Sequence, residues 1–415
     1  MRTLLENIGE MITLQPLTSE QRGHSIKEED LGRIHNAWLF CDNSTVAALG
    51  PMPVPADIRK FAGQVVDAKG ALVLPGLVDA HTHTIFGGTR FDEFAQRLNG
   101  ASYQEIAAKG GGIQASVKGT RQASDEELMK SAKRRLTRFL RRGVTTVEIK
   151  TGYGLAFKQE LRLLKLIQVI RKNVRMEIVP TLLALHAVPA DAKSAEAYVE
   201  EITKRLLPLV IENKLARYVD AFIESGYFSV EQAEPFIRAA EKGGLGVRVH
   251  ADEFSNSGGA AAAAKWKAAS ADHLQHASKE GIQAMALSGT VAILLPGTSL
   301  YTGIPFTDAR PFLEAKCAVA IASDFNPGSS FCENLAQLAS LGALHCHLTS
   351  WQAIAAVTYV PALSLGLGDR KGALEIGFDA DFAVYRMASL EEWLATMGQR
   401  LPSEVWLKGE KLHSY

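Results

Sequence analysis

The sequence predicts an α/β fold, a (β/α)₈ TIM barrel that carries a small β-sandwich-like domain built from both termini. From residue 71 to residue 371, short apolar runs alternate with amphipathic stretches, which is typical of repeated βα units. Residues 1–70 and 372–415 instead contain short strand-like pieces separated by polar turns. The 415 residues are enough for one barrel of ordinary size and one appended domain.

Eight apolar runs between residues 71 and 371 are the candidate barrel strands. They are Leu72–Val78, Thr145–Ile149, Arg175–Leu183, Tyr218–Ile223, Gly246–Val249, Ser270–Asp272, Thr290–Leu295 and Ala318–Ala322. Amphipathic stretches between them predict helices, among them Asp125–Arg142, Gln159–Lys172, Ala195–Asn213 and Val230–Lys242. Eight parallel strands, each followed by a helix, are the number that closes such a barrel.

The two ends of the chain have a different pattern, with short β-rich pieces between turn residues. These pieces are Met11–Leu14, Ala37–Phe40, Thr45–Leu49, Gln64–Asp67, Phe382–Tyr385 and Val405–Leu407. Since both ends share this pattern, we expect them to form one composite domain beside the barrel. We expect its role to be structural.

Composition argues against several classes of partner. Lys and Arg together number 45, as do Asp and Glu, so no net charge favours nucleic acid or an anionic membrane. The chain has no run of eighteen apolar residues and no basic-then-apolar start. Its four cysteines lack C-x-x-C spacing, which predicts reduced thiols. We therefore expect a cytoplasmic protein without disulfides.

The first strand ends on two histidines one residue apart, His81 and His83. Side chains at i and i+2 of a strand point to the same face, so both imidazoles should project together from the strand end. Two converging imidazoles are typical of a metal site. On spacing alone, a surface strand end that happens to carry two histidines fits equally well.

Further polar residues end other predicted strands. His250 follows the fifth strand, His273 the sixth and Asp324 the eighth. Because catalytic residues of barrels collect at the carboxyl ends of the strands, we expect these side chains to meet. Three imidazoles and one carboxylate can hold a catalytic metal that lowers the pKa of a water molecule. The expected metal ligands are His81, His83, His250 and Asp324, with His273 and Glu253 as acid/base groups beside the water.

Residues in the loops after the strands predict a polar substrate. Arg90 ends a glycine-rich loop and could clamp a carboxylate, although an exposed loop arginine fits the sequence as well. Tyr153 follows the second strand and His186 the third. The loop after Asp324 adds Asn326, Gly328 and Ser329. The run Lys109–Ile113 lacks the G-K-[ST] ending of a phosphate loop, so we predict a flexible active-site loop there.

These residues lie in longer motifs, and on those motifs the chain resembles the amidohydrolase superfamily and, within it, the imidazolonepropionase family. The motifs run from His81 to Arg90 and through residues 97–103, 110–113, 148–155, 250–253, 270–274 and 324–328. The H-x-H pair and the final aspartate indicate only the superfamily. The arginine loop, the G-Y-G-L segment and D-F-N-P-G indicate the narrower family. The match is weakest at Thr298–Tyr301, which could alter the active-site rim.

The resemblance implies a reaction and a metal. The reaction is hydrolysis of the ring amide of 4-imidazolone-5-propanoate to N-formimidoyl-L-glutamate, in histidine degradation. One Zn²⁺ or Fe ion per subunit would be held by the four expected ligands, and the enzyme would be a homodimer. The residues that would contact the substrate are Arg90, Tyr153, His186, Glu253, Asn326, Gly328 and Ser329.

The resemblance also implies catalytic roles. His273 or Asp324 would take a proton from the attacking water, and Glu253 would orient or protonate the leaving ring nitrogen. Some members of the superfamily carboxylate a lysine that follows a strand in order to bridge two metals. Because this family has one metal, Lys150 is expected to stay unmodified.

Two alternatives remain open at this stage. One is another cyclic-amide hydrolase or an aminohydrolase of the cytosine or guanine deaminase type, which would share the metal ligands. Arg90 argues against a neutral base as substrate, because such a base needs no carboxylate clamp. The other is a non-catalytic relative that has kept only the barrel. The presence of all four expected ligands together with Glu253 and His273 argues against it.

Overall fold

The computed structural model describes residues 2–15, 26–102, 105–106 and 109–412, so Tyr103, in one of the motifs above, lies outside the described residues. The strands of the described residues are β1 (Arg2–Ile12), β2 (Arg33–Asp42), β3 (Thr45–Pro51), β4 (Gln64–Asp67), β5 (Leu72–Pro75), β6 (Leu77–Asp79), β7 (Val144–Lys150), β8 (Glu177–Leu185), β9 (Tyr218–Ile223), β10 (Gly246–Ala251), β11 (Ser270–His273), β12 (Val291–Leu294), β13 (Val319–Ile321), β14 (Phe382–Tyr385), β15 (Glu404–Leu407) and β16 (Glu410–Lys411).

The helices of the same residues are α1 (Ala56–Phe61), α2 (Phe91–Leu98), α3 (Ile113–Gln122), α4 (Asp125–Arg141), α5 (Phe157–Asn173), α6 (Ala195–Glu201), α7 (Leu207–Glu212), α8 (Val230–Lys242), α9 (Gly259–Lys265), α10 (Lys279–Ser288), α11 (Pro296–Thr302), α12 (Arg310–Glu314), α13 (Leu335–His345), α14 (Ser350–Ala355), α15 (Tyr359–Ser364) and α16 (Leu390–Ala395). A π-helical turn at Ile202–Leu206 divides the predicted helix Ala195–Asn213. Pro208 follows this turn, and its missing N–H removes one α-helical hydrogen bond there.

Strands β6 to β13 form the predicted barrel. They lie side by side in chain order, and every ladder between neighbours is parallel. Their burial is nearly complete on both faces, which explains why the sequence shows continuous apolar runs there rather than alternation. Seven of the eight predicted strands each overlap one observed strand. The predicted fold class is confirmed.

The predicted first strand, Leu72–Val78, is wrong as a single element. Its first half is β5, which pairs with β1 and β14 outside the barrel, and its second half is β6, which pairs with β7. Gly76 separates the two halves, and a side chain there would collide with Thr145. Both halves are completely buried, so hydrophobicity alone does not reveal where the chain leaves one sheet for the other.

Strands of the terminal segments, together with β5, form a second, mixed sheet with the strand order β16-β15-β14-β5-β1-β2-β3, and β4 also pairs with β1. Strand β1 starts at Arg2, nine residues before the predicted start at Met11. The prediction missed these residues because burial does not alternate regularly along the strand. Strands from both ends of the chain meet where β14 pairs with β5. The domain limits at residues 70/71 and 371/372 stay a prediction.

The barrel closes between its first and last strands in two different ways. Along the strands themselves, Ala356 and Val357 lie between the two edges: the Ala356 carbonyl accepts from Ile321 N–H at 2.7 Å, and the Val357 carbonyl accepts from Val78 N–H at 2.9 Å. Direct contact between the two edges follows only beyond the strand ends. The seam is therefore closed directly only at the carboxyl end.

The carboxyl-end contact lies at the predicted metal ligands. Asp324 N–H donates to the His81 carbonyl at 3.0 Å, and His83 N–H donates to the Phe325 carbonyl at 2.9 Å. The backbone that closes the barrel thus also sets the distance between the two histidines and the aspartate.

Among the described residues, none of the helices has the length and hydropathy required to span a bilayer.

Candidate active site

The histidines predicted to converge at the carboxyl end of the barrel do so. The ring centroid of His81 lies 4.5 Å from that of His250, 5.3 Å from that of His83 and 5.7 Å from that of His273. Asp324 joins them, with Oδ1 at 3.4 Å from Nε2 of both His81 and His83. All five side chains are buried. The structure therefore brings together residues from four strand ends.

These side chains fit a metal ion. Buried ring nitrogens without a hydrogen-bond partner among the described residues are Nε2 of His81, Nδ1 of His83, Nε2 of His250 and Nδ1 of His273. A buried polar atom left unpaired is costly, so several in one place indicate a ligand. Potential ligand atoms of His81, His83 and Asp324 lie within 4.8 Å of one another, as do those of His81, His250 and His273. Imidazole and carboxylate donors suit a divalent transition metal.

Two carboxylates that the sequence analysis missed orient the histidines. His81 Nδ1 lies 2.6 Å from Asp272 Oδ2, and His250 Nδ1 lies 3.0 Å from Asp220 Oδ1. A carboxylate on one ring nitrogen fixes the tautomer and turns the other nitrogen toward a metal. The sequence contained one signal for these contacts: Asp220 and Asp272 lie inside β9 and β11, strands in which every residue is buried. Such a charge needs a partner.

Lys150 lies beneath this site in a buried ion network. Its Nζ is 2.7 Å from Asp220 Oδ2, 2.9 Å from Glu148 Oε2 and 3.6 Å from Asp272 Oδ2. Burial alone would lower the pKa of Lys150, but these three carboxylates raise it above its ordinary value. Arg248 Nε adds a contact to Glu148 Oε1 at 3.0 Å. A carboxylated lysine would place another anion among three carboxylates, so these contacts favour the unmodified amine.

Glu253 and His273 form a pair at the edge of the histidine cluster, with 3.6 Å between Glu253 Oε1 and His273 Nδ1. Burial, helped by the charges of Asp324 and Glu224, raises the pKa of Glu253 well above its ordinary value. Burial lowers the pKa of His273 well below its ordinary value. The pair therefore combines a carboxyl group of raised pKa with an imidazole of lowered pKa, which suits proton transfer.

A small cavity opens between these groups and the predicted substrate residues. It is lined by His83, Arg90, Ile113, Tyr153, His186, Phe222, His250, Glu253, Phe254, His273, Asp324, Asn326 and Ser329. Every predicted substrate residue except Gly328 lines it. Its volume is about 30 Å³, well below that of pockets that enclose ligands. The cavity in this conformation is therefore smaller than a typical ligand pocket.

The alternative that Arg90 is an exposed loop arginine is wrong. Its side chain is buried, and Nε and Nη2 donate to Glu93 Oε2 at 2.9 and 2.7 Å. The other oxygen of Glu93 accepts from Gly112 N–H at 3.1 Å. Glu93 lies on α2 and does not line the cavity, so it supports Arg90 from behind. Arg90 and Glu93 are three residues apart, a spacing that brings side chains together on a helix. This spacing indicates their contact only if a helix is known to start at Phe91.

Gly328 has a steric role beside Arg90. A side chain at this position would collide with the Arg90 guanidinium, so only glycine lets the arginine pack here. The neighbouring Asn326 organises the same loop: its Nδ2 donates to the Asp324 carbonyl at 2.7 Å and to Ser329 Oγ at 2.8 Å. Its Oδ1 accepts from the N–H groups of Gly328 and Ser329. These backbone donors are thus engaged inside the loop.

Tyr153 and His186 form an aromatic wall. The His186 ring stacks on His83 with centroids 5.1 Å apart and an interplanar angle of 16°. Tyr153 lies against both rings, at 5.6 Å from His83 and 5.3 Å from His186. His186 Nδ1 is 3.0 Å from the Gly152 carbonyl, and a side chain at Gly152 would collide with the His186 ring. The G-Y-G segment therefore matters for close packing at the cavity.

Comparison with known proteins agrees with this geometry. Residues 72–412 match the amidohydrolase family. An imidazolonepropionase of Bdellovibrio bacteriovorus is 40% identical, over 99% of this chain and 97% of the relative. An imidazolonepropionase of Erwinia tasmaniensis is 42% identical, over 92% of this chain and 94% of the relative.

Solved structures with the same fold are more distant in sequence. A triazine hydrolase variant superposes with a TM-score of 0.76 at 17% identity and covers 99% of this chain and 94% of that one. E. coli guanine deaminase superposes with a TM-score of 0.72 at 17% identity, with 99% of each chain covered. These structures support the architecture, and the closer sequence relatives narrow the assignment. The chain belongs to the amidohydrolase family and, within it, to the imidazolonepropionases.

Proposed function

We propose that this chain hydrolyses the ring amide C–N bond of 4-imidazolone-5-propanoate to N-formimidoyl-L-glutamate, a step of histidine degradation. The observation that carries the proposal is that one cavity is lined both by the histidine cluster and by Arg90. A metal site alone fits any hydrolase of the family. A buried arginine beside it suits a substrate that carries a carboxylate as well as a ring amide.

One divalent ion, Zn²⁺ or Fe, would be held by His81, His83, His250 and Asp324. The unpartnered ring nitrogens and the carboxylates behind His81 and His250 support this set. A structural neighbour, an adenosine deaminase from Xanthomonas campestris, was solved with bound zinc. When bound, such an ion acidifies water and polarises a carbonyl oxygen. The donor set accepts several metals, so availability decides which one is bound.

Substrate binding is assigned to the opposite side of the cavity. Arg90 pairs with the propanoate carboxylate, and its guanidinium is held by Glu93. Tyr153 and His186 flank the ring with their aromatic faces. Asn326 keeps the loop with Gly328 and Ser329 in place, so that Arg90 can pack against it.

Proton transfer is assigned to the remaining polar groups. Water adds to the ring carbonyl carbon, and its proton passes to a ring nitrogen of His273 or to Asp324. The C–N bond then breaks, and the carboxyl group of Glu253 donates a proton to the departing nitrogen. The raised pKa of Glu253 supports this role, because it favours the protonated carboxyl group that acts as a proton donor. The lowered pKa of His273 keeps its imidazole neutral and able to accept.

The test follows the loss of imidazolonepropanoate absorbance with the metal-loaded chain, the chelator-treated chain and the chain resupplied with metal. We expect turnover only with metal. Arg90→Ala should raise KM strongly, because the carboxylate loses its partner. Arg238→Ala, which removes an exposed arginine on α8, is the matched control.

Absence of turnover by the metal-loaded chain would overturn the proposal. Release of ammonia from cytosine or guanine would instead favour the deaminase alternative. The homodimer and the cytoplasmic location also stay proposals, and sedimentation of the purified chain tests the first of them.

A further inference from the structure

Thr298, in a stretch that was expected only to shape the active-site rim, contacts a predicted metal ligand. It lies on α11, directly after β12, in the stretch where the family motifs match least. Thr298 is completely buried. Its Oγ1 donates to Asp324 Oδ2 at 2.6 Å. The segment that follows β12, the seventh barrel strand, thus contributes one hydroxyl group to the site.

The two carboxylate oxygens of Asp324 have different surroundings. Oδ1 lies 3.4 Å from Nε2 of both His81 and His83, whereas Oδ2 is bound by Thr298. The backbone of Asp324 is held at a positive φ of 48° and donates to the His81 carbonyl. The last torsion of an aspartate is soft, so the backbone alone does not fix the plane of the carboxylate group. The hydrogen bond from Thr298 holds that plane, with one oxygen toward the hydroxyl and the other toward the histidines.

We propose that Thr298 is a positioning residue for the metal site, whose hydroxyl fixes the plane of the Asp324 carboxylate so that the oxygen not bound by Thr298 faces His81 and His83. The proposal rests on the metal site proposed above. Without the hydroxyl, a buried carboxylate oxygen loses its donor and the carboxylate can rotate. Loss of a group that holds a metal ligand typically weakens metal binding or activity by about 10- to 100-fold.

Three variants separate the hydroxyl from the shape of the side chain. Thr298→Val keeps the shape and removes the donor, and Thr298→Ser keeps the donor. Thr302→Val is the matched control, because it removes a hydroxyl one turn further along α11 that donates to the Thr298 carbonyl instead of to Asp324. Each variant is loaded with Zn²⁺, and transfer of the metal to a chromogenic chelator is followed alongside kcat and KM.

We expect Thr298→Val to bind zinc about 10- to 100-fold more weakly than the unmodified chain and to lose kcat, with KM for the substrate little changed. Thr298→Ser should recover most of both losses, and Thr302→Val should resemble the unmodified chain. Zinc retention and kcat of Thr298→Val equal to those of the unmodified chain would overturn the proposal. So would equal losses in Thr298→Ser.

Two further outcomes are covered by the same design. If Thr298→Val does not fold, as judged by circular dichroism, the comparison of Thr298→Ser with Thr298→Ala replaces it. If the unmodified chain itself releases zinc at once and shows no turnover, the proposed function fails, and the role of Thr298 fails with it. Normal zinc binding and turnover of the unmodified chain beside an unaffected Thr298→Val would overturn only the role of Thr298.

Discussion

The carboxyl end of the barrel and the terminal sheet use burial for different purposes. Beneath the candidate metal site, Glu148, Lys150, Asp220, Arg248 and Asp272 are completely buried and pair with one another. The terminal sheet encloses an apolar core instead. Buried ion networks add little net stability compared with apolar packing. Their position beside His81 and His250 fits a role in orienting these histidines, whereas for the terminal sheet we propose a contribution to stability alone.

The largest effect should follow from removing the cation shared by the two histidine-orienting carboxylates. Lys150→Met leaves Asp220 and Asp272 buried without this partner, which should lower the free energy of unfolding by about 3–5 kcal/mol. Lys265→Met is the control, because Lys265 pairs with Glu234 at the surface, where a pair contributes about 0–1 kcal/mol. Urea titrations of both variants measure the difference. Equal losses would mean that the buried network is no more important than a surface pair.

A change in the apolar core of the terminal sheet should lower stability without changing catalysis. Leu39 is completely buried there among Ile8 and Trp406. Leu39→Ala should cost about 2–5 kcal/mol, because it removes apolar contacts and leaves a cavity. The kcat of the folded fraction at low temperature should stay unchanged. A lower kcat for fully folded protein would contradict a purely structural role for this sheet.

The smallest expected effect concerns the support of Arg90. Glu93→Gln removes the negative charge behind the guanidinium, so Arg90 loses its fixed orientation. We expect KM for imidazolonepropanoate to rise about tenfold, equivalent to about 1.4 kcal/mol, with kcat little changed. Asp92→Asn, an exposed change on the same helix, is the control. A lower KM for Glu93→Gln would mean that Glu93 competes with the substrate instead of positioning its clamp.

Much of the fold could be predicted from the sequence because its signals are local. Apolar runs and amphipathic stretches alternate along the chain, and their count predicts a barrel without knowledge of any contact. The failure at Gly76 has the same origin. Strands β5 and β6 are both buried and apolar, and only their pairing partners distinguish them.

The site was predictable where topology brings residues together, and it was missed where register and side-chain contacts do so. Strand ends of a barrel meet at one face, so His81, His250 and Asp324 could be placed together from their positions in the sequence alone. The contacts of Asp272 with His81 and of Thr298 with Asp324 depend instead on distances of a few ångströms. Such contacts leave no periodic pattern.

The sequence by itself therefore determined the barrel and the residues that meet at its carboxyl end, because strand number and strand ends follow from local hydrophobicity. The tertiary structure alone decided how those residues are oriented. Asp324 shows the difference: its position in the chain places it beside His81 and His83, but a hydroxyl from the helix after β12 fixes the plane of its carboxylate toward them. Orientation depends on hydrogen bonds between residues far apart in the chain, and these form only when the strands have packed.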